Sequence, residues 1–194
     1  MAQTDLIQRK LEELLNTTVL PETSFEIEKS LDQEEEVLRE AEANQYTVRW
    51  GYDYIRGIQA QSRRDRAAAD RFYTSALENG GTYEVLDRWL RNRLALQAEQ
   101  RANRDARIQT LVEALQWGRS NQSAPALFKV AEILSDDYQD YNNAYNIFRE
   151  SFEIRATPEA ATSAFGSIGN SDFYSGLALL EQAEALFPHN HEVL

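Results

Sequence analysis

One pattern of small and large residues recurs in this chain at a fixed interval, and it restricts the fold more than anything else in the sequence. Ala144 is followed by Phe148, Ser151 and Phe152. Thirty-two residues after Ala144, Gly176 is followed by Leu180 and Ala183, and Pro188 closes the run. Both runs have the form small-x3-large-x2-small. Residues at those spacings share one face of a helix. A small residue lets a neighbouring helix come close, and the large one fills the space beside it. The stretches that precede them match in outline, Ala131 with Leu134 and Ala164 with Ile168. Two tandem helical hairpins between Ala124 and Pro188 are therefore expected.

The rest of the chain supports helix throughout, with only four prolines and eight glycines in 194 residues. Trp50, Tyr54, Gly57 and Ala60 lie along one helix, and a polar turn is expected within Ser62, Arg63, Arg64 and Asp65. Ala69, Tyr73 and Ala76 repeat the small-large-small form, and Asn79-Gly80-Gly81 is a C-terminal stop. Thr82 caps a helix bearing Val85, Leu86, Trp89 and Leu90. Asn103 or Asp105 caps another, bearing Ile108, Leu111 and Leu115 and ending at Gly118. This pair, 82–119, fits the repeat poorly. Ser123 opens the next helix, Asp136 to Asp140 is a turn, and Tyr141 to Ile154 is the mate. The aromatic residues Tyr138, Tyr141, Tyr145, Phe148 and Phe152 read as core of this hairpin. Pro158 stands in the first turn of the following helix, where its missing N–H does no harm. Gly166 to Ser171 reads as a break, with Ser171 or Asp172 restarting the helix.

Residues 1–44 form an acidic helical segment with a linker. Asp5 and Gln8 make a capping-box pattern ahead of Ile7, Leu11 and Leu14. Pro21 marks a linker, and Ser30 with Gln33 opens a second helix to about Ala43. Residues 189–194 are a polar tail containing His189 and His191.

The repeat resembles the tetratricopeptide (TPR) family, which stacks helix pairs of about 34 residues with small residues at the crossings. Ala144, Phe148 and Ser151 match its second-helix signature. Gly176, Leu180, Ala183 and Pro188 do so too, and, more distantly, Gly57 with Ala69, Tyr73 and Ala76. The resemblance covers residues 45–188, although the Trp-x2-Leu-Gly-x2-Tyr helix is nowhere intact and the step from Ala131 to Ala144 is one residue long. It implies an all-α fold of antiparallel hairpins stacked as a TPR-like right-handed α-solenoid, with a groove lined by the first helix of each pair. By that resemblance Tyr54, Ile58, Gln61, Phe128, Glu132, Ala161 and Phe165 face the groove. Another α-solenoid or an irregular helical bundle is the alternative.

Charge divides the chain into three blocks. Residues 1–48 hold twelve acids and four bases, 49–107 eight acids and twelve bases, and 108–194 twelve acids and four bases. Every base in the central block is Arg, a residue suited to planar bidentate contacts with carboxylate or phosphate. Arg56, Arg63 and Arg64, with Arg66, Arg71, Arg88, Arg91 and Arg93, offer a surface for an acidic protein segment. They also stand beside Asp65, Asp70, Glu84 and Asp87, and Asp87–Arg91 and Glu84–Arg88 are i,i+4 pairs. Phosphate binding is the competing use, with Trp50 and Trp89 stacking bases. The net charge of −12 and pI near 4.7 argue against it.

No cysteine is present and no run of about 18 apolar residues occurs, which suits a reducing, cytoplasmic location without a membrane. Gly166-Ser167-Ile168-Gly169 is neither a nucleophile elbow nor a phosphate loop, and His189-x-His191 supplies too few ligands for a metal site. The expectation is a non-catalytic, cofactor-free module that binds a protein or peptide. It would be an adaptor, chaperone or assembly factor. A nucleic-acid-binding regulator is the alternative, and self-association through acidic ends and Arg-rich centre is open.

Overall fold

The computed structural model describes residues 49–168 and 172–188. The expected helices at 5–16 and 30–43, the linker at Pro21, Ser171 and the tail with its two histidines lie outside them. All regular structure among the described residues is helical: α1 (Arg49–Ser62), α2 (Arg66–Glu78), α3 (Tyr83–Glu99), α4 (Arg104–Ser120), α5 (Ala124–Asp136), α6 (Tyr141–Ile154), α7 (Pro158–Ile168) and α8 (Phe173–Leu186). None of these is long and apolar enough to cross a membrane. The chain divides into two compact units between Ala102 and Asn103. In the first, α1 packs on α2 and α2 on α3. In the second, α4 packs on α5, α5 on α6, α6 on α7 and α7 on α8. Within each unit, neighbours in sequence are neighbours in space. The poorly matching pair at 82–119 contains the division: α3 and α4 belong to different units.

Small residues sit where helices cross. In the first unit Gly57 lies against the Tyr73 ring so closely that an added Cβ would stand 2.3 Å from Cε1. Ala69, Tyr73 and Ala76 are fully buried. In the second unit Ala144, Phe148, Ser151 and Phe152 all face inward, and Ser151 donates its hydroxyl to the Ala124 carbonyl at 2.8 Å. Gly176 meets the Phe165 ring, where a Cβ would come within 2.8 Å of Cδ2. The large residue beside Gly176 differs from the expectation. Leu179 is buried, whereas Leu180 is half-buried. Gly176 and Ala183 remain buried, as Ala144 and Ser151 are in α6.

The turns are closed by backbone bonds more than by glycine. After α2, Gly81 N–H donates to Ala76 O and Gly80 N–H to Leu77 O, with Gly80 at φ 94°. That is the Schellman closure. The same pair of bonds closes α1, α3 and α4, yet the left-handed residue there is Arg64, Arg101 or Gln122. A residue with a Cβ held in that region costs roughly 1–2 kcal/mol. The longer step from Ala131 to Ala144 is absorbed after α5. There the left-handed residue moves out to Gln139, and Asp140 N–H donates back to Leu134 O at 2.9 Å.

Side chains cap the N-termini unevenly. Asp65, Asn103 and Asp172 accept from backbone N–H groups of α2, α4 and α8. Asn103 rather than Asp105 is thus the cap of α4. Thr82 and Ser123 hold the cap position without a side-chain cap bond. Thr82 instead donates to Glu84 Oε2. The break expected over Gly166 to Ser171 starts later than Gly166, and Asp172 is the residue that caps the next helix. Helix α7 runs through Gly166 to Ile168, and its glycine faces open space.

Candidate functional site

Helices α1 and α3 of the first unit border a cleft of about 360 Å³ lined by Tyr54, Gln61, Tyr83, Glu84, Asp87, Arg88 and Arg91. Tyr54 and Gln61 project from the same side of α1, two turns apart. From α3, Arg88 donates through Nε to the Tyr54 hydroxyl at 2.9 Å, and its guanidinium lies 5.8 Å from that ring. Behind them, Tyr73 donates its hydroxyl to Gln61 Oε1 at 2.7 Å. Burial pushes the Tyr54 phenol above its ordinary pKa of 10.0, against the opposing pull of Arg88. Burial also holds the Tyr73 phenol well above the same value. Both phenols keep their protons at neutral pH. At the rim, Arg91 pairs with Asp87 at 2.9 Å and is 68% exposed. The cleft therefore offers phenol and amide dipoles at its base and carboxylates and guanidinium groups of both signs at its edge. That set can hold a polar or charged side chain by hydrogen bonds. It contains no nucleophile positioned against a base.

The other expected contact residues are spread over the chain. Ile58 is buried beside Tyr54 and contributes packing rather than contact surface. Arg56 lies across α1 and α2. Its guanidinium donates to the Tyr52 hydroxyl at 2.9 Å and rests over the Tyr52 and Phe72 rings. Arg63 and Arg64 are exposed in the turn before α2. Phe128, Glu132, Ala161 and Phe165 belong to the second unit. Phe128 packs edge-on against Phe148 at 5.1 Å, Glu132 pairs with Lys129 at 3.0 Å, Ala161 is fully buried, and Phe165 packs edge-on against Phe173 at 5.7 Å. Within the first unit the structure brings Tyr54 and Gln61 together.

Two arginines of the Arg-rich centre, Arg66 and Arg93, hold α2 and α3 together. Arg93 makes a bidentate pair with Asp70, 2.9 Å through Nε and 2.8 Å through Nη2, and stacks 4.7 Å over Trp89. Arg66 pairs with Glu99 at 2.7 Å. Trp89, expected as a stacking platform, is buried and donates its indole N–H to Thr74 Oγ1. Asn92, fully buried, donates to the Arg66 carbonyl at 2.9 Å and leaves Oδ1 without a partner.

Tyr83 and Arg88 were not legible as cleft residues. One signal was available: Arg88 follows Tyr54 by 34 residues, the length of one TPR repeat. The chain matches no protein-family model, and no curated protein matches it.

Proposed function

We propose that this chain is a non-catalytic interaction module, an adaptor, chaperone or assembly factor that holds a protein or peptide partner on its helical surface. The observation that carries this reading is helix packing in sequence order, with small residues at the crossings. Each helix then spends one face on its neighbours and leaves another for a partner. We read the finer arrangement as a TPR-like right-handed α-solenoid. The cleft at Tyr54, Gln61 and Arg88 is the contact point we assign to the first unit. The internal pairing of Arg66, Arg91 and Arg93 weighs against the nucleic-acid reading, because ion-paired arginines release fewer counterions from phosphate.

Affinity capture with the tagged full chain from its native extract should retain a stoichiometric protein partner. Capture of nothing specific would overturn the proposal. A mobility shift with single-stranded RNA whose affinity falls steeply as salt rises would favour the nucleic-acid alternative.

A further inference from the structure

The second unit carries exposed rings that its own packing leaves out. Tyr141, the first residue of α6, is 48% exposed, which departs from the core role expected for it. Phe173 and Tyr174, the first two residues of α8, are 51% and 83% exposed. Rings gathered at a surface mark a contact area more often than single scattered apolar residues do. The start of α8 is held in place. Tyr145, one turn after Tyr141, donates its hydroxyl to the Ser175 carbonyl at 3.4 Å, tying the start of α8 to α6. Phe173 is clasped edge-on between Phe165 and Tyr174, at 5.7 and 6.0 Å.

The surroundings are negative. Asp140 and Asp172 stand at the N-caps of α6 and α8, directly before these rings. Residues 136–188 contain nine acids and two bases. Only Glu150 and Glu153 of those acids form ion pairs among the described residues. The unit also seats guanidinium groups on tyrosine faces already: Arg149 over Tyr145 at 5.9 Å and Arg104 over Tyr138 at 5.6 Å. Asp140 and Asp172 accept hydrogen bonds from Asn143 and Ser175 but form no ion pair among the described residues. Exposed rings next to such carboxylates attract a cation that can stack and hydrogen-bond at once.

We propose that the N-terminal ends of α6 and α8 form a docking surface for an arginine-bearing basic segment of a partner protein, its guanidinium groups seated on Tyr141 and Tyr174 beside Asp140 and Asp172. This rests on the binding-module reading and gives it a partner chemistry opposite in sign to the one the Arg-rich centre suggests.

The test is titration of the isotope-labelled full chain with a short arginine-rich peptide, and with the same peptide carrying citrulline at each arginine. The amide signals of Tyr141, Phe173, Tyr174 and Ser175 should move with the first peptide, and the citrulline form should bind at least about tenfold more weakly. Tyr141→Ala with Tyr174→Ala should weaken binding about tenfold at unchanged helicity. Asp140→Asn with Asp172→Asn keeps capping residues in place and should weaken binding about threefold while flattening its salt dependence. Absence of binding, equal affinity of the tyrosine double variant, or shifts confined to other helices would overturn the proposal. Partner capture from the native extract separates the two levels. A partner retained equally by wild type and the tyrosine double variant sinks this surface and leaves the module reading standing. A partner retained by neither sinks the module reading itself.

Discussion

Gly57→Ala sets two opposed effects against each other at the tightest crossing of the first unit. Replacing an interior helix glycine by alanine is worth about 1 kcal/mol of stability in the absence of other contacts. Here the new methyl would stand 2.3 and 2.5 Å from two carbons of the Tyr73 ring, more than 1 Å inside ordinary contact distance. Tyr73 cannot swing away. It is fully buried, its hydroxyl is bonded to Gln61, and its ring lies 6.0 Å from that of Tyr54. Overpacking of this kind costs up to about 3 kcal/mol. The net expectation is a loss of about 2 kcal/mol. Urea unfolding followed by circular dichroism measures it, as a lower midpoint at unchanged slope. A variant as stable as wild type, or more so, would refute the reasoning, because helix propensity would then have outweighed the close approach.

Gly166→Ala is the converse case. The α7 glycine has nothing within 4 Å of its would-be Cβ, so the same unfolding assay should show a gain of about 0.5–1 kcal/mol, and a loss would contradict it. Asn92→Ala removes a buried donor to the Arg66 carbonyl and leaves a void, for an expected cost of about 2 kcal/mol in denaturant. A change under about 0.5 kcal/mol would show that bond to be idle. Burial holds the Tyr54 and Tyr73 phenols above 10.0 in the folded chain, so the folded state keeps those protons longer than the unfolded one. Stability from this source is intact below pH 10 and falls as pH climbs above it. Stability that rises across that range in a denaturant series would be the wrong sign.

The fold was more legible than the site. Small-x3-large-x2-small marks a helix crossing without help from distant contacts, and Gly57, Ala69, Tyr73 and Ala144 all occupy such crossings. The pattern located α8 correctly but misassigned its large residue, because Leu179 and Leu180 are equally apolar and only the rotation of the packed helix chooses between them. Turns were half visible. Gly80 announced itself, whereas Arg64, Arg101 and Gln122 adopt the same left-handed conformation with nothing in their chemistry to say so. Gly166 misled in the other direction: it lies within α7, and only Gly80 of the described glycines takes the left-handed conformation that closes a helix. At the site, Tyr54 and Gln61 were reached through family resemblance. Arg88 was visible only as one more arginine in a basic stretch. Its commitment to Tyr54, like that of Arg93 to Asp70, depends on how separate helices face each other, and charge patterning carries no such information.

If each helix is held chiefly by its neighbours in sequence, a wedge at one crossing should loosen only the helices that meet there. Gly176→Val forces branched carbon into the Phe165 ring. Residue-resolved hydrogen exchange of that full-length variant should show faster exchange in α7 and α8 with protection in α4 and α5 unchanged. Protection lost to the same extent from α4 through α8 would mean one shared core, and would contradict the account.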